Sequence, residues 1–173
     1  NGTIWVAVGR GDNSIAYSFD GSTNWTGIQN SINTFTNVGY GIAYNGTMWV
    51  AVGQGTNSIA YSSDGSTNWY GIPNSTNTFT SNGWGIAYNG TMWVAVGFGT
   101  NSIIYSLNGI EWNGVPDSST NIFTNGRGVA SGYSHKPLMM SSNIIPSKTN
   151  AYNLGSTTNY WSSAYINLSL IHI

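Results

Sequence analysis

The sequence predicts an all-β protein: three tandem four-stranded antiparallel blades of a partial, open β-propeller, followed by a short non-repeat C-terminal tail. Three observations predict it. The chain restarts the same pattern at Asn1, Asn45 and Asn89, a period of 44 residues. Each repeat holds several short runs of strand-forming residues divided by turn residues. The composition points the same way: of 173 residues, 5% are charged and 14% aromatic, with eight Trp and eleven Tyr. Tyr, Trp, Val and Ile suit strands, the abundant Asn, Gly, Ser and Thr suit turns, and so many rings argue against disorder.

The repeats span residues 1–44, 45–88 and 89–131, with linker and tail over 132–173. The first strand of each is W-V-A-V-G, at 5–9, 49–53 and 93–97. In the second unit a Gly-Thr-Asn-Ser turn leads to S-I-A-Y-S at 58–62. The turn Ser-Asp-Gly-Ser-Thr-Asn then leads to a third strand at 69–72. A polar loop, 73–82, carries Phe79. The last strand lies at 41–44, 85–88 and 128–131, and Asn-Gly-Thr follows the first two. Asn-Gly between apolar runs signals a hairpin, with both turn residues expected to tolerate positive φ. Runs mixing Ala with Val and Ile suit sheets covered on both faces. A period near 44 with four strands reads as a propeller blade; a β-prism or a stacked solenoid are the alternatives. Three blades do not close a ring, so an arc or part of a larger ring is expected, with exposed apolar faces and self-association. Starting in register at Asn1 without Met, the chain is expected to be a piece of a longer protein.

The turn after the second run reads Ser18-Phe19-Asp20-Gly21-Ser22-Thr23-Asn24-Trp25 in the first unit. The second has Ser62-Ser63-Asp64-Gly65-Ser66-Thr67-Asn68-Trp69, and the third Ser106-Leu107-Asn108-Gly109-Ile110-Glu111-Trp112. These turns resemble the Asp-box, or bacterial neuraminidase repeat. Two of them carry one residue more than the short form of that motif, and the third replaces Asp with Asn. An Asp or Asn side chain can accept backbone N–H groups of its own turn, Gly permits positive φ, and the Trp is expected to cover the turn. The resemblance implies that Ser18, Asp20, Gly21, Trp25 and their equivalents, Ser62, Asp64, Gly65, Trp69, Ser106, Asn108, Gly109 and Trp112, are structural. A sialidase of that kind would need an arginine cluster, a Tyr nucleophile with a Glu partner, and an acidic acid/base. The chain has two arginines and one Glu.

The tail segment Ala151-Tyr152-Asn153-Leu154-Gly155 through Tyr160-Trp161-Ser162-Ser163-Ala164-Tyr165-Ile166 is similar to a segment of phage and giant-virus tail-fibre-like proteins. It also reads as a Leu and aromatics packing a turn. Residues 136–146 look like a linker or strand, and the last five residues resemble a translated sequencing adapter.

Net charge is −1, and Arg10, Arg127, Lys136 and Lys148 form no stripe, which disfavours nucleic acid and anionic membrane partners. Without Cys, and with only His135 and His172, no metal site or cofactor is expected. The Gly-rich turns open no helix, so no dinucleotide site is expected. Arg10-Gly11-Asp12 occurs in one unit and is ascribed to chance. Repeat proteins vary their functional face on a constant frame. Two places vary: Tyr40, Trp84 and Arg127 before the Gly-Ile-Ala strand, and Arg10, Gln54 and Phe98 after W-V-A-V-G. Rings that stack on sugars suggest a non-enzymatic glycan-binding or surface-binding module of a viral or phage fibre-like protein, extracellular or on a virion. A structural repeat protein is the alternative, and an Asp-box hydrolase has the least support.

Overall fold

The computed structural model describes residues 3–29, 31, 34–75 and 79–132, all in one compact unit, Asn1–Ser134. The fibre-like segment, the 136–146 stretch and the last five residues lie outside the described residues.

Among the described residues, eleven strands form three antiparallel sheets. The first holds β1 (Trp5–Val8), β2 (Ile15–Ser18) and β3 (Thr26–Gly27). The second holds β4 (Val38–Tyr44), β5 (Trp49–Gln54), β6 (Ile59–Ser62) and β7 (Tyr70–Gly71). The third holds β8 (Asn82–Tyr88), β9 (Trp93–Phe98), β10 (Ile103–Ser106) and β11 (Asn113–Gly114). Within each sheet, strands adjacent in sequence pair with one another. One helical turn, α1 (Ser118–Asn121), follows β11.

The sheets are phased one strand away from the sequence repeat. The strand closing residues 1–44 pairs with β5, and the one closing 45–88 pairs with β9. The tight Asn-Gly-Thr turn dictates this, since it can only return the chain antiparallel beside itself. Positive φ falls on Gly46 (105°) and Gly90 (94°) alone, not on both turn residues as expected. Asn45 works through its side chain instead, its Oδ1 accepting the N–H of Thr47 at 2.9 Å and of Met48 at 2.7 Å.

Two strand expectations are corrected. Residues 128–131 form no strand, because no neighbouring strand pairs with them among the described residues. The closing strands reach back to Val38 and Asn82, because Val38 and Asn82 still find partners in Gln54 and Phe98.

The period of two sorts the core. Val50 and Val52 share a buried cluster with Ile86, Trp93 and Ile104 of the third sheet. Between them, Ala51 joins Ile15 and Phe35 of the first unit. The middle sheet is thus covered on both faces, as its small and β-branched residues predict. The equivalent tryptophans register the stacking: Trp5 is 62% exposed, Trp49 8% and Trp93 0%.

The polar loops contain a repeated device that composition alone hides. The buried Ser75 hydroxyl accepts the N–H of Ser58 at 3.0 Å and of Ile59 at 3.3 Å. Ser31 does the same for Ser14 and Ile15, at 3.0 and 3.2 Å, and Ser118 for Ser102 and Ile103, at 3.1 and 3.2 Å. Each serine thereby ties its loop to the start of the strand that opens with Ile. Ser75→Ala leaves two buried donors unpaired and is expected to cost about 1–3 kcal/mol, read from the midpoint of urea unfolding. A cost within error of zero would mean that water replaces the hydroxyl.

Candidate ligand-binding rim

The three motif turns are closed systems. Ser18 Oγ donates to Asp20 Oδ1 at 2.8 Å and accepts the N–H of Gly21 at 2.9 Å, while the same Oδ1 accepts Ser22 N–H at 2.9 Å. Asp64 accepts from Ser66 N–H (2.9 Å), Thr67 N–H (3.0 Å), Thr67 Oγ1 (2.6 Å) and Asn68 Nδ2 (2.9 Å). Asn108 reproduces the pattern without charge, its Oδ1 accepting Ile110 N–H at 2.9 Å and Glu111 N–H at 2.8 Å. Gly21, Gly65 and Gly109 sit at φ of 68°, 74° and 78°, where a side chain would be strained.

The ring facing the α-carbon of the turn glycine is that of the strand Trp rather than the motif Trp. A Cβ on Gly65 would meet Trp49 Nε1 at 2.7 Å, one on Gly21 would meet Trp5 Nε1 at 2.6 Å, and one on Gly109 would meet Trp93 Nε1 at 3.2 Å. The strand Trp faces the turn because its partner in the ladder is the motif Ser: Trp49 pairs with Ser62. Trp112 touches its own turn through Nε1, which donates to Gly109 O at 3.1 Å, whereas Trp25 is exposed.

Both carboxylates are held well below the usual carboxylate range. For Asp20 the causes are the Ser22 N–H, then the Ser18 hydroxyl and the Asn24 amide. For Asp64 burial is the largest single influence and pushes upward, but the bonds from Thr67, Ser66 and Asn68 together outweigh it. A group whose pKa is depressed by folding stabilises the fold above its unfolded pKa, and that stability is lost as pH falls through the folded value. The loss therefore begins near pH 4 and deepens below it. Asp20→Asn with Asp64→Asn is expected to flatten the decline of melting temperature below that pH. An unchanged acid limb would remove these two groups as its cause.

The two variable sets converge on one rim of the sheets. Tyr40 is an extra residue in β4: Gly39 pairs with Gly53 and Gly41 with Val52, leaving Tyr40 between them without a partner. Trp84 repeats this between Gly83 and Gly85. A bulge re-aims its side chain, and flanking glycines allow the bend. Arg127, between Gly126 and Gly128, holds the third place. The three side chains stack. Tyr40 and Trp84 have ring centroids 4.1 Å apart, tilted by 42°, and the Arg127 guanidinium lies 4.5 Å from the Trp84 ring centre. Each contact is of a kind worth about 0.5–1 kcal/mol when partly exposed.

The second set lies beside the first. Gln54 ends β5 opposite Val38, and its Oε1 accepts from Asn37 Nδ2 at 2.7 Å. Phe98 ends β9 opposite Asn82 and also bridges to Asn125. Arg10 follows β1 at the equivalent place and is exposed.

No family model matches this chain, and no curated protein matches it.

Proposed function

We propose that the chain is a non-enzymatic module of propeller-blade repeats, borne on a viral or phage fibre-like surface protein, that binds glycans or another surface ligand through the rim. The observation carrying this reading is the Tyr40–Trp84–Arg127 stack, contributed by successive repeats, with Tyr40 and Trp84 raised on bulges while the frame around them stays constant. Tyr40 and Arg127 are exposed, while Trp84 is half-buried and engaged by both. Ligand contact is therefore assigned to Tyr40 and Arg127, and Trp84 holds them in place. A flat ring beside a fork of N–H donors suits a sugar ring with its hydroxyls. Asn37, Gln54 and Asn125 add amides along the same rim.

The Asp-box resemblance enters as support for the frame alone. In all three turns the Asp or Asn spends its acceptors within the turn, which suits a fold element rather than a general acid or base.

A glycan array probed with the 173-residue chain tests the reading. Binding is expected, and Tyr40→Ala and Arg127→Ala are each expected to weaken it about tenfold, equivalent to about 1.4 kcal/mol, with melting temperature nearly unchanged. If no glycan binds, and Trp84→Ala alters stability alone, the rim is a packing feature and the structural-repeat reading takes its place.

A further inference from the structure

Each sheet junction in this chain is made the same way. The opening strand of a sheet lies against the sheet before it and pairs with the strand that follows. β4 packs on β1 and pairs with β5, and β8 packs on β4 and β5 and pairs with β9. The Gly39 N–H reaches back to Gly9 O at 2.9 Å to fix the first junction.

Residues 125–131 begin a third junction. The Gly126 N–H donates to Gly97 O at 2.9 Å, as Gly39 does to Gly9, and Ser131 Oγ donates to Tyr88 O at 2.8 Å. This segment lies on the third sheet where an opening strand belongs, yet it pairs with no following strand among the described residues. The first sheet has the reverse deficit. Among the described residues β1 is its edge, with pairing on the β2 side alone. Its residues Trp5–Val8 are exposed or half-buried, where the equivalent residues of β5 are all buried.

We propose that two copies of this chain join head to tail, residues 128–131 of one copy adding a fourth antiparallel strand to β1 of the next. The two internal junctions dictate the register. β4 meets β5 as Gly41 with Val52, Ile42 with Ala51, Ala43 with Val50, and Tyr44 with Trp49, and β8 meets β9 identically. The joint therefore sets Gly128 against Val8, Val129 against Ala7, Ala130 against Val6, and Ser131 against Trp5. The first sheet of the second copy then stacks on the third sheet of the first, covering Trp5 as Trp49 and Trp93 are covered inside the chain. An exposed strand edge is a template for such pairing, and a head-to-tail contact joins unlike surfaces, so it propagates until geometry closes it.

The chain has no cysteine, which makes a cross-linking test clean. Trp5→Cys and Ser131→Cys are made in separate chains and mixed under mild oxidation. These positions correspond to the Tyr44–Trp49 and Tyr88–Trp93 pairs, whose ring centroids are 4.5 and 4.8 Å apart on one face. A disulfide-linked dimer of the two variants is expected. Pairing Trp5→Cys with Ala130→Cys is expected to yield far less, since adjacent residues point to opposite faces. Sedimentation of the unaltered chain is expected to show mass rising with concentration to at least twice the monomer. Monomer mass at every concentration, as when another part of the same chain covers β1, overturns the proposal. Equal cross-linking of both pairs overturns it as well.

Discussion

Replacing Trp93 with alanine is expected to lower stability by about 3–5 kcal/mol, the range for truncating a fully buried large aromatic. That is a large part of the roughly 5–15 kcal/mol that holds an ordinary domain together. Trp93 is 0% exposed, lies 4.8 Å from the Tyr88 ring and covers Gly109, while Met48 and Val50 of the second sheet approach the same glycine. Removing the ring opens a cavity between two sheets, which cannot collapse without moving strands that are pinned by their ladders. The repeat supplies a control. Trp5 has the same neighbours in sequence, Val-Ala-Val-Gly, but is 62% exposed. In the monomer, at concentrations too low for copies to join, Trp5→Ala is expected to cost under about 1 kcal/mol, because little area leaves the interior. The Trp93 indole N–H is buried without an acceptor among the described residues, so Trp93→Phe loses packing and no hydrogen bond. Its cost is expected to fall well below that of alanine. Urea unfolding of the four proteins, with unchanged slopes, measures all of this. Equal costs at Trp5 and Trp93 in the monomer would show that stacking of the sheets is not what sets them.

That contrast marks where sequence reasoning reaches its limit. The 44-residue period, the β class and the hairpin turns follow from local chemistry: W-V-A-V-G and S-I-A-Y-S can scarcely be anything but strands between such turns. Trp5, Trp49 and Trp93 are locally identical, and only the neighbouring sheet makes one a surface ring and another a core ring. The serines show a second limit. Ser31, Ser75 and Ser118 sit in loops full of Ser, Thr and Asn, where nothing in a single repeat distinguishes a buried acceptor from a solvated hydroxyl. Their recurrence after Ile28, Ile72 and Val115 was a usable signal, since each of these residues also donates its N–H to a strand carbonyl at 2.9 Å. The rim shows a third. Tyr40, Trp84 and Arg127 stand out in sequence as one variable place flanked by glycines. Their stacking on one another depends on the spacing between sheets, which no single repeat encodes. The second motif turn shows a related limit: nearness in sequence favours Trp69, but cross-strand pairing with Ser62 brings Trp49 against Gly65.

Gly97→Ala is expected to destabilise the protein by about 3 kcal/mol, the upper end of the usual cost of overpacking. A Cβ at Gly97 would press on the Asn82 carbonyl oxygen and stand 2.7 and 2.8 Å from two carbons of the Phe79 ring. The ring could shift at some cost, but the carbonyl belongs to β8 and is fixed by the ladder around the Trp84 bulge. Relief would require moving the bulge, and with it the partner on which Tyr40 and Arg127 stack. Gly9 is the control, at the equivalent place after β1, where a Cβ would meet nothing within 4 Å and the backbone is not in the left-handed region. Gly9→Ala is expected to be neutral, or to add about 0.4–1 kcal/mol by restricting the unfolded chain. Phe79→Leu in the Gly97→Ala background should recover little, because the smaller side chain relieves the ring contact and leaves the carbonyl in place. Melting temperature decides the stability order, and iodide quenching of tryptophan fluorescence, compared with and without Trp84→Phe to isolate one ring among eight, reports whether Trp84 has become more exposed. A nearly wild-type melting temperature for Gly97→Ala would mean that β8 and β9 can slide apart at the bulge. The rim would then be an adjustable surface rather than a rigid one.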